Sequence, residues 1–309
     1  MSVVINTNVD SLKIQGLLSS STSKLSNSMQ RMSSGLKILS AKDDAAGTVI
    51  SAKMKVQLNG NQIAQKNVQN ANALLSTAEG NLDVIEDNIT RIRDLTLQAK
   101  NGTYSETEVQ AMQDEVEERI AEINRINESA KYSDLRLFGG DLKDTGVTFQ
   151  VGADDGVDNT IKAGAELFKS VEFSALTGAE NFNLVDLMKA TPTSTDFKQN
   201  NAGLTATDPS TTTGKEETNF DQAIRALDLG IDEITNRKSI IGSAGNRMDS
   251  ALDTLSIQFE NLSSAKSIIT DADIASEASN FTQQQILQQV STSLLAQANQ
   301  APSIALSLV

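Results

Sequence analysis

Between residues 64 and 92, apolar or small side chains recur at Ala64, Val68, Ala71, Leu75, Ala78, Leu82, Ile85, Ile89 and Ile92, in alternating steps of four and three. Such steps return to one side of an α-helix every seven residues, so the pattern predicts a coiled-coil seam. Continued through Thr96 to Ala99, it makes a helix of roughly 54 Å at about 1.5 Å per residue. Asn101-Gly102 ends it. Ser105 with Glu108 three places on is a capping-box signature for a second helix, whose apolar positions are Val109, Met112, Val116, Ile120 and Ile123. These two helices should fold back as a hairpin. Further on, Ile224, Leu227, Ile231 and Ile234, then Met248, Leu252, Leu255, Phe259 and Leu262, predict a third long helix with one phase slip.

Both chain ends carry the same spacing in a thinner form. Leu18, Thr22, Leu25, Met29, Met32, Leu36 and Leu39 follow it near the start, and Leu287, Val290, Leu294 and Ala298 near the finish. Each stripe is one or two residues wide and set among Ser and Gln, so a lone pair of helices would bury little surface against its ordering entropy. The ends are therefore expected to order fully only within an assembly. Their charges are opposite in sign: Lys13, Lys24, Arg31 and Lys37 against Asp10 in the first forty residues, and Asp271, Asp273 and Glu277 without a base in the last forty.

The middle differs in kind. Nine of 18 Gly lie between residues 139 and 214, with Pro192, Pro209 and the run Thr211, Thr212, Thr213, and six of nine Phe fall between Phe138 and Phe197. Helix breakers and aromatics together favour short strands. Thr148-Phe149-Gln150-Val151 before Gly152 and Asp155-Gly156 predicts a strand entering a turn, and Glu172-Phe173 marks a second candidate strand. Residues 176–214 show no period and predict a small solvent-facing insert. The expected fold is mainly α: a long antiparallel coiled-coil helical bundle formed by the N- and C-terminal arms, with a small β-hairpin region. The expected division is 1–44 with 268–309 as paired terminal helices, 45–175 with 215–267 as a helical rod with the hairpin, and 176–214 as a short variable surface insert.

Composition removes most chemistry. The 309 residues contain no Cys, His or Trp, which excludes thiol and imidazole catalysis, disulfides and His- or Cys-ligated metals. Neither a metal, a cofactor nor a catalytic residue is expected. The net charge of −14 repels phosphate backbones and anionic lipid, so neither nucleic acid nor membrane is an expected partner. No basic n-region precedes an apolar core and no run of 18 apolar residues occurs, which points to the cytoplasm unless the chain leaves by a route that needs no cleaved peptide. The carboxylate clusters Asp43-Asp44, Asp154-Asp155 and Glu115-Glu117-Glu118 are not catalytic pairs, since adjacent side chains on an element point apart; turns and solvated faces account for them. Asp271 and Asp273 suit a helix start. Asp141, Lys143, Thr145 and Gly146 fail as a calcium loop because a Lys occupies a ligand position. Gly242-Ser-Ala-Gly245 is read as a close-packing or kink site rather than a phosphate loop. The Asn-x-Ser/Thr triplets at Asn88, Asn101, Asn127, Asn261 and Asn280 are chance matches in an Asn-rich chain.

Three stretches carry a family resemblance. Met1 to Leu12 reads MSVVINTNVDSL, Arg31 to Gly47 reads RMSSGLKILSAKDDAAG, and Gln285 to Val309 reads QILQQVSTSLLAQANQAPSIALSLV. These resemble bacterial flagellin, over roughly residues 1–156 and 215–309, with Phe149 to Gly156 similar to the hairpin segment of the family's inner globular domain. The resemblance implies a secreted filament subunit of the extracellular flagellum. By the same resemblance it is exported unfolded by a type III apparatus with an export chaperone, added beneath a cap protein, and joined to hook-junction proteins. Its main partner would be itself, in a helical homopolymer. Leu18, Leu25, Met29, Met32, Leu36, Leu39, Leu287, Val290, Leu294 and Leu295 would then form the inner packing of the filament, and the segment from Arg31 to Gly47 its spoke, with Asp43 and Asp44 as turn and interface residues. Thr90 to Gln98 is similar to the segment recognised by the vertebrate Toll-like receptor for flagellin. Arg91, Leu95, Gln98 and Glu115 match, whereas Asp94, Thr96 and Leu97 depart from the commoner Glu, Ala and Val. Alternatives are the hook–filament junction protein, which typically lacks the run from Leu295 to Pro302, and a cytoplasmic coiled-coil scaffold. A peptidase insert would need a His-Glu-x-x-His helix, and the chain has no His.

Overall fold

The computed structural model describes residues 8–179, 182–189 and 219–306. In chain order the elements are α1 (Val9–Ser34), α2 (Ala45–Lys100), α3 (Glu106–Ser129), β1 (Lys131–Tyr132), β2 (Leu135–Arg136), α4 (Leu142–Thr145), β3 (Val147–Gln150), β4 (Thr160–Ala163), α5 (Phe173–Thr177), α6 (Leu184–Lys189), α7 (Asn219–Thr270) and α8 (Ile274–Leu306). The fold is mainly α with two small antiparallel strand pairs. The chain divides into two compact units, Met1–Asn59 with Ile257–Val309, and Gly60–Ser256.

In the unit Gly60–Ser256, every seam position read from α2 is buried, from Ala64 through Val68, Leu75, Leu82, Ile85, Ile89 and Ile92 to Ala99. Polar pairs along its flanks fix the helix directions. Arg91 and Arg119 reach Glu115 and Asn88 between α2 and α3, while Lys100–Asp221, Arg93–Asp228, Lys238–Asp83 and Asn72–Asp249 join α2 to α7. In both sets the partner number falls as the α2 number rises, so α3 and α7 each run antiparallel to α2. The α3 start is capped as expected: the Glu108 carboxylate accepts from the Ser105 backbone N–H at 2.7 Å and from its hydroxyl at 2.8 Å.

The expected phase slip in α7 is absent. Leu227, Ile234, Ile241, Met248 and Leu255 are all buried at seven-residue steps. The intervening layer uses Ala223, Gly230, Arg237 and Ala244, three small residues and a cation that carry no hydrophobic signal. Gly242 and Gly245 are not close-packing sites, because a Cβ at either would meet open space. The close approach is at Gly230, where a Cβ would come within 3.3 Å of Thr177.

The middle segment supplies a cap of small elements. β3 pairs with β4 from Val147↔Ala163 to Gln150↔Thr160, and β1 with β2 through Lys131↔Arg136 and Tyr132↔Leu135. Gly146 enters β3 at φ +66, and a Cβ there would collide with the Ala163 carbonyl, so the turn requires glycine. The strand expected at Glu172-Phe173 is instead the start of α5; Asn124 on α3 accepts the Phe173 N–H at 3.1 Å and fixes that start. Phe173 then meets Phe182 edge-on at 5.6 Å.

The first part of the expected surface insert is also core: Leu176, Ala179, Phe182, Leu184, Val185 and Leu187 are buried. Gln113 on α3 ties it down, accepting from the Leu184 N–H at 2.7 Å and donating to the Phe182 carbonyl at 3.2 Å. The remainder of that insert, 190–214, lies outside the described residues.

In the unit Met1–Asn59 with Ile257–Val309, α1 begins at Asn8, whose side chain accepts from the Ser11 N–H, and stops at Gly35 in the left-handed region with φ 71. An antiparallel bridge joins Leu36 to Asp271, with Lys37 N–H donating to Thr270 at 2.7 Å and Ala272 N–H to Gly35 at 2.9 Å. As expected of an acidic helix start, Asp273 accepts from the Ala275 N–H at 3.0 Å at the head of α8. α8 then runs antiparallel to α1, since Asn8 donates to Ala298 and Gln288 to Thr22.

Candidate assembly surface

The α1–α8 pair has heptad spacing, with polar and apolar side chains sharing the seam between its helices. On α1 the inward positions are Ser11, Ile14, Leu18, Ser21, Leu25, Ser28 and Met32, and on α8 they are Phe281, Gln284, Gln288, Ser291, Leu295 and Ala298. The most enclosed of these are serines: Ser21 at 8%, Ser28 at 6% and Ser291 at 8% exposure. Hydrogen bonds such as Ser11 Oγ to Asn299 at 2.8 Å replace contacts with water at small net gain. Among the described residues no ion pair links α1 to α8, so the opposite charges of the two ends are not used in paired contacts there.

Other bulky side chains look outward. Leu12, Leu17 and Met29 on α1 are 55–62% exposed, and Ile286, Leu287, Val290 and Leu294 on α8 are 42–55% exposed. Leu287, Val290 and Leu294 each stand one residue before Gln288, Ser291 and Leu295, which on a 3.6-residue helix is about 100° of rotation away from the partner. The ten inner-packing candidates thus fall into two groups. Leu18, Leu25, Met32 and Leu295 line the seam, half-buried; Met29, Leu36, Leu39, Leu287, Val290 and Leu294 are exposed.

Between α1 and α2 the chain is held by two carboxylates. Asp43 accepts from the Leu39 and Ser40 N–H groups at 3.1 and 2.9 Å and faces Arg31 at 3.6 Å. The Ser40 and Leu39 N–H groups hold its carboxyl below the usual aspartate range. Asp44 accepts from the Gly47 N–H at 2.9 Å, capping α2. Both are turn residues without catalytic geometry.

Of the receptor candidates, Arg91 and Glu115 form a two-pronged pair at 2.8 and 3.1 Å, Gln98 is exposed, and Leu95 is buried in the core at 2%. Hydrogen bonding from Arg91 lowers the Glu115 carboxyl.

Sequence reasoning missed the buried polar anchors. The Arg237 guanidinium donates to Glu233 and to the Lys169 carbonyl, both at 2.9 Å. Asn127 accepts from the Val171 N–H at 2.9 Å. Their only advance signal is a polar residue at a seam position. Among the described residues no group of three His, Cys, Asp or Glu side chains could hold a metal ion, and no helix is long and apolar enough to cross a membrane.

Comparison with known proteins bears on both ends of the chain. The bacterial flagellin N-terminal helical region matches residues 5–142 and the bacterial flagellin C-terminal helical region residues 224–309. A flagellin of Serratia marcescens is 35% identical, covering 100% of both chains. A flagellin of Bacillus subtilis is 33% identical over 99% of both. Among solved structures, a chain assigned as a flagellar hook-associated protein of Vibrio parahaemolyticus has a TM-score of 0.53 at 15% identity, covering 74% of this chain and 99% of its own. That likeness speaks to the fold alone.

Proposed function

Because the chain belongs to the bacterial flagellin family and is a structural subunit of the flagellar filament, we propose that the outward apolar faces of α1 and α8 are the surfaces that hold subunits together. The observation that carries this reading is the outward row of apolar side chains on the terminal pair: Leu12, Met29, Leu287, Val290 and Leu294 are exposed, while serines and glutamines share the seam with Leu18, Leu25, Met32, Phe281 and Leu295. Covering half-exposed apolar side chains supplies about 1 kcal/mol each, repeated at every subunit, and couples completion of the terminal helices to polymerisation. Contacts between unlike patches do not close on themselves and build a helix of subunits.

The test is electron microscopy of the purified chain after short filament seeds are added, with far-UV circular dichroism before and after. Tubes with a gain in helicity are expected. Leu294→Glu should yield no tubes while leaving the dichroism of the free chain largely intact; normal filaments from that variant would overturn the assignment. The hook–filament junction reading has no observation in its favour over this one.

The same membership carries the finer expectations as proposals: export in an unfolded state through a type III apparatus with a chaperone, insertion beneath a cap protein, and junction to hook-associated subunits. A chain without Cys suits that route, since no disulfide can form on the way. Arg91, Gln98 and Glu115 are proposed as contacts for a vertebrate Toll-like receptor, with the buried Leu95 acting from inside by holding the helix surface in place. Silence of receptor-bearing reporter cells exposed to the free subunit would end that part alone.

A further inference from the structure

A cleft of about 320 Å³ lies wholly within the unit Met1–Asn59 with Ile257–Val309. Its apolar lining is Leu36, Ile38, Leu39 and Ala52, and its cations are Lys55 and Lys266. Among the described residues neither lysine forms a salt bridge; Lys266 feels the charge of Asp271 nearby. The surrounding segment, residues 31–55, holds five bases against Asp43 and Asp44. A chain of net charge −14 therefore presents a basic, partly apolar recess here.

Its complement in charge is α3, which has eight acids against two arginines. Ala111, Asp114, Glu118 and Ala121 follow steps of three, four and three, and all four are exposed. They form one stripe along the helix, with methyl groups suited to an apolar floor and carboxylates suited to ammonium groups. Growth without closure needs two unlike surfaces on each subunit that fit one another, and these two are unlike and opposite in charge.

We infer that the Lys55–Lys266 cleft of one subunit seats the Ala111–Asp114–Glu118–Ala121 stripe of a second copy. This rests on the polymerising role proposed above and adds a charged contact that sets which neighbour is met. The apolar faces of α1 and α8 supply adhesion; the charged contact supplies register.

The test is charge exchange in the full chain, read as the critical concentration for seeded polymerisation. Lys55→Glu with Lys266→Glu, and separately Asp114→Lys with Glu118→Lys, should each raise it at least about tenfold, since like charges then face each other. The variant carrying all four changes should return to within about threefold of the native value, as should an equal mixture of the two double variants. Native-like critical concentrations for either double variant, or no rescue by the fourfold variant, would overturn the pairing. If a reversal unfolds the chain by circular dichroism, Lys55→Gln with Lys266→Gln takes its place. Its polymerisation should then be less sensitive to salt than the native chain's, and unchanged salt sensitivity would overturn the pairing equally. Failure of the native chain to polymerise at all would instead strike the filament-surface reading, which Leu294→Glu probes independently.

Discussion

The seam within Gly60–Ser256 and the seam between α1 and α8 share one spacing and differ in what occupies it. The first buries Val68, Leu82, Ile85, Ile89 and Ile92 completely, each at 0% exposure. The second encloses Ser21, Ser28 and Ser291 and leaves Val290 and Leu294 nearly half exposed. Heptad periodicity tells that a helix has a preferred contact side. It does not tell whether the contact lies within the chain or between chains. A self-sufficient unit encloses its large side chains completely, whereas a subunit that completes itself on assembly leaves part of its apolar surface for its neighbours.

The sharpest break of the comparison is a charge placed on each side of it. Ile89→Asp buries an unpaired carboxylate, a loss of several kcal/mol, and should abolish the cooperative thermal transition of the free chain. Leu294→Glu should leave that transition in place. A melt in which both variants behave alike would remove the distinction between the seams. Next in size, Leu82→Ala should cost about 3 kcal/mol, seen as a lower denaturant midpoint with the slope unchanged; a loss well under about 1 kcal/mol would mean that the α2 seam is as loosely committed as the terminal one.

A smaller change sharpens the contrast from the other side. Replacing Ser21, Ser28 and Ser291 by Ala removes three enclosed hydroxyls and raises helix propensity, together worth about 1 kcal/mol in favour of the terminal pair. Helicity of the free chain should rise and the gain on polymerisation shrink by the same amount. An unchanged spectrum would show that the pair is already complete without neighbours.

The legible parts of the fold are those in which bulk and burial coincide. Every α2 position read from spacing is buried, and the Ser105–Glu108 cap and the strand at Thr148–Gln150 stand where local chemistry puts them. Arg237 hides the continuous phase of α7 because a buried guanidinium satisfied by carbonyls is indistinguishable, in one sequence, from a solvated one. Leu176, Phe182 and Leu184 escape notice for a different reason: they meet α3 through short elements that never repeat, so no period announces them. The terminal stripes are read at the right spacing but only half in phase: Leu18, Leu25 and Met32 face inward as read, whereas Leu287, Val290 and Leu294 stand one residue off the seam. Thr22 and Met29 yield the inward places to Ser21 and Ser28, because apolar content alone does not mark the face along which the chain pairs its own helices.

The smallest expected effect concerns the Arg91–Glu115 pair on the flank of the buried seam. Arg91 holds the Glu115 carboxyl below the ordinary glutamate value of 4.5, so the folded state binds that proton less readily than the unfolded one. The pair's contribution is then present above pH 4.5 and is lost as pH falls through the depressed folded value. Both side chains are more than a third exposed, at 43% and 35%, so water screens the pair and its contribution at neutral pH is small. Glu115→Gln should melt slightly below the native chain at pH 7, and the difference should shrink below pH 4.5 and vanish once the pH is under the depressed folded value. A difference that persists undiminished into strong acid would overturn the assignment of the effect to the Arg91–Glu115 charge pair.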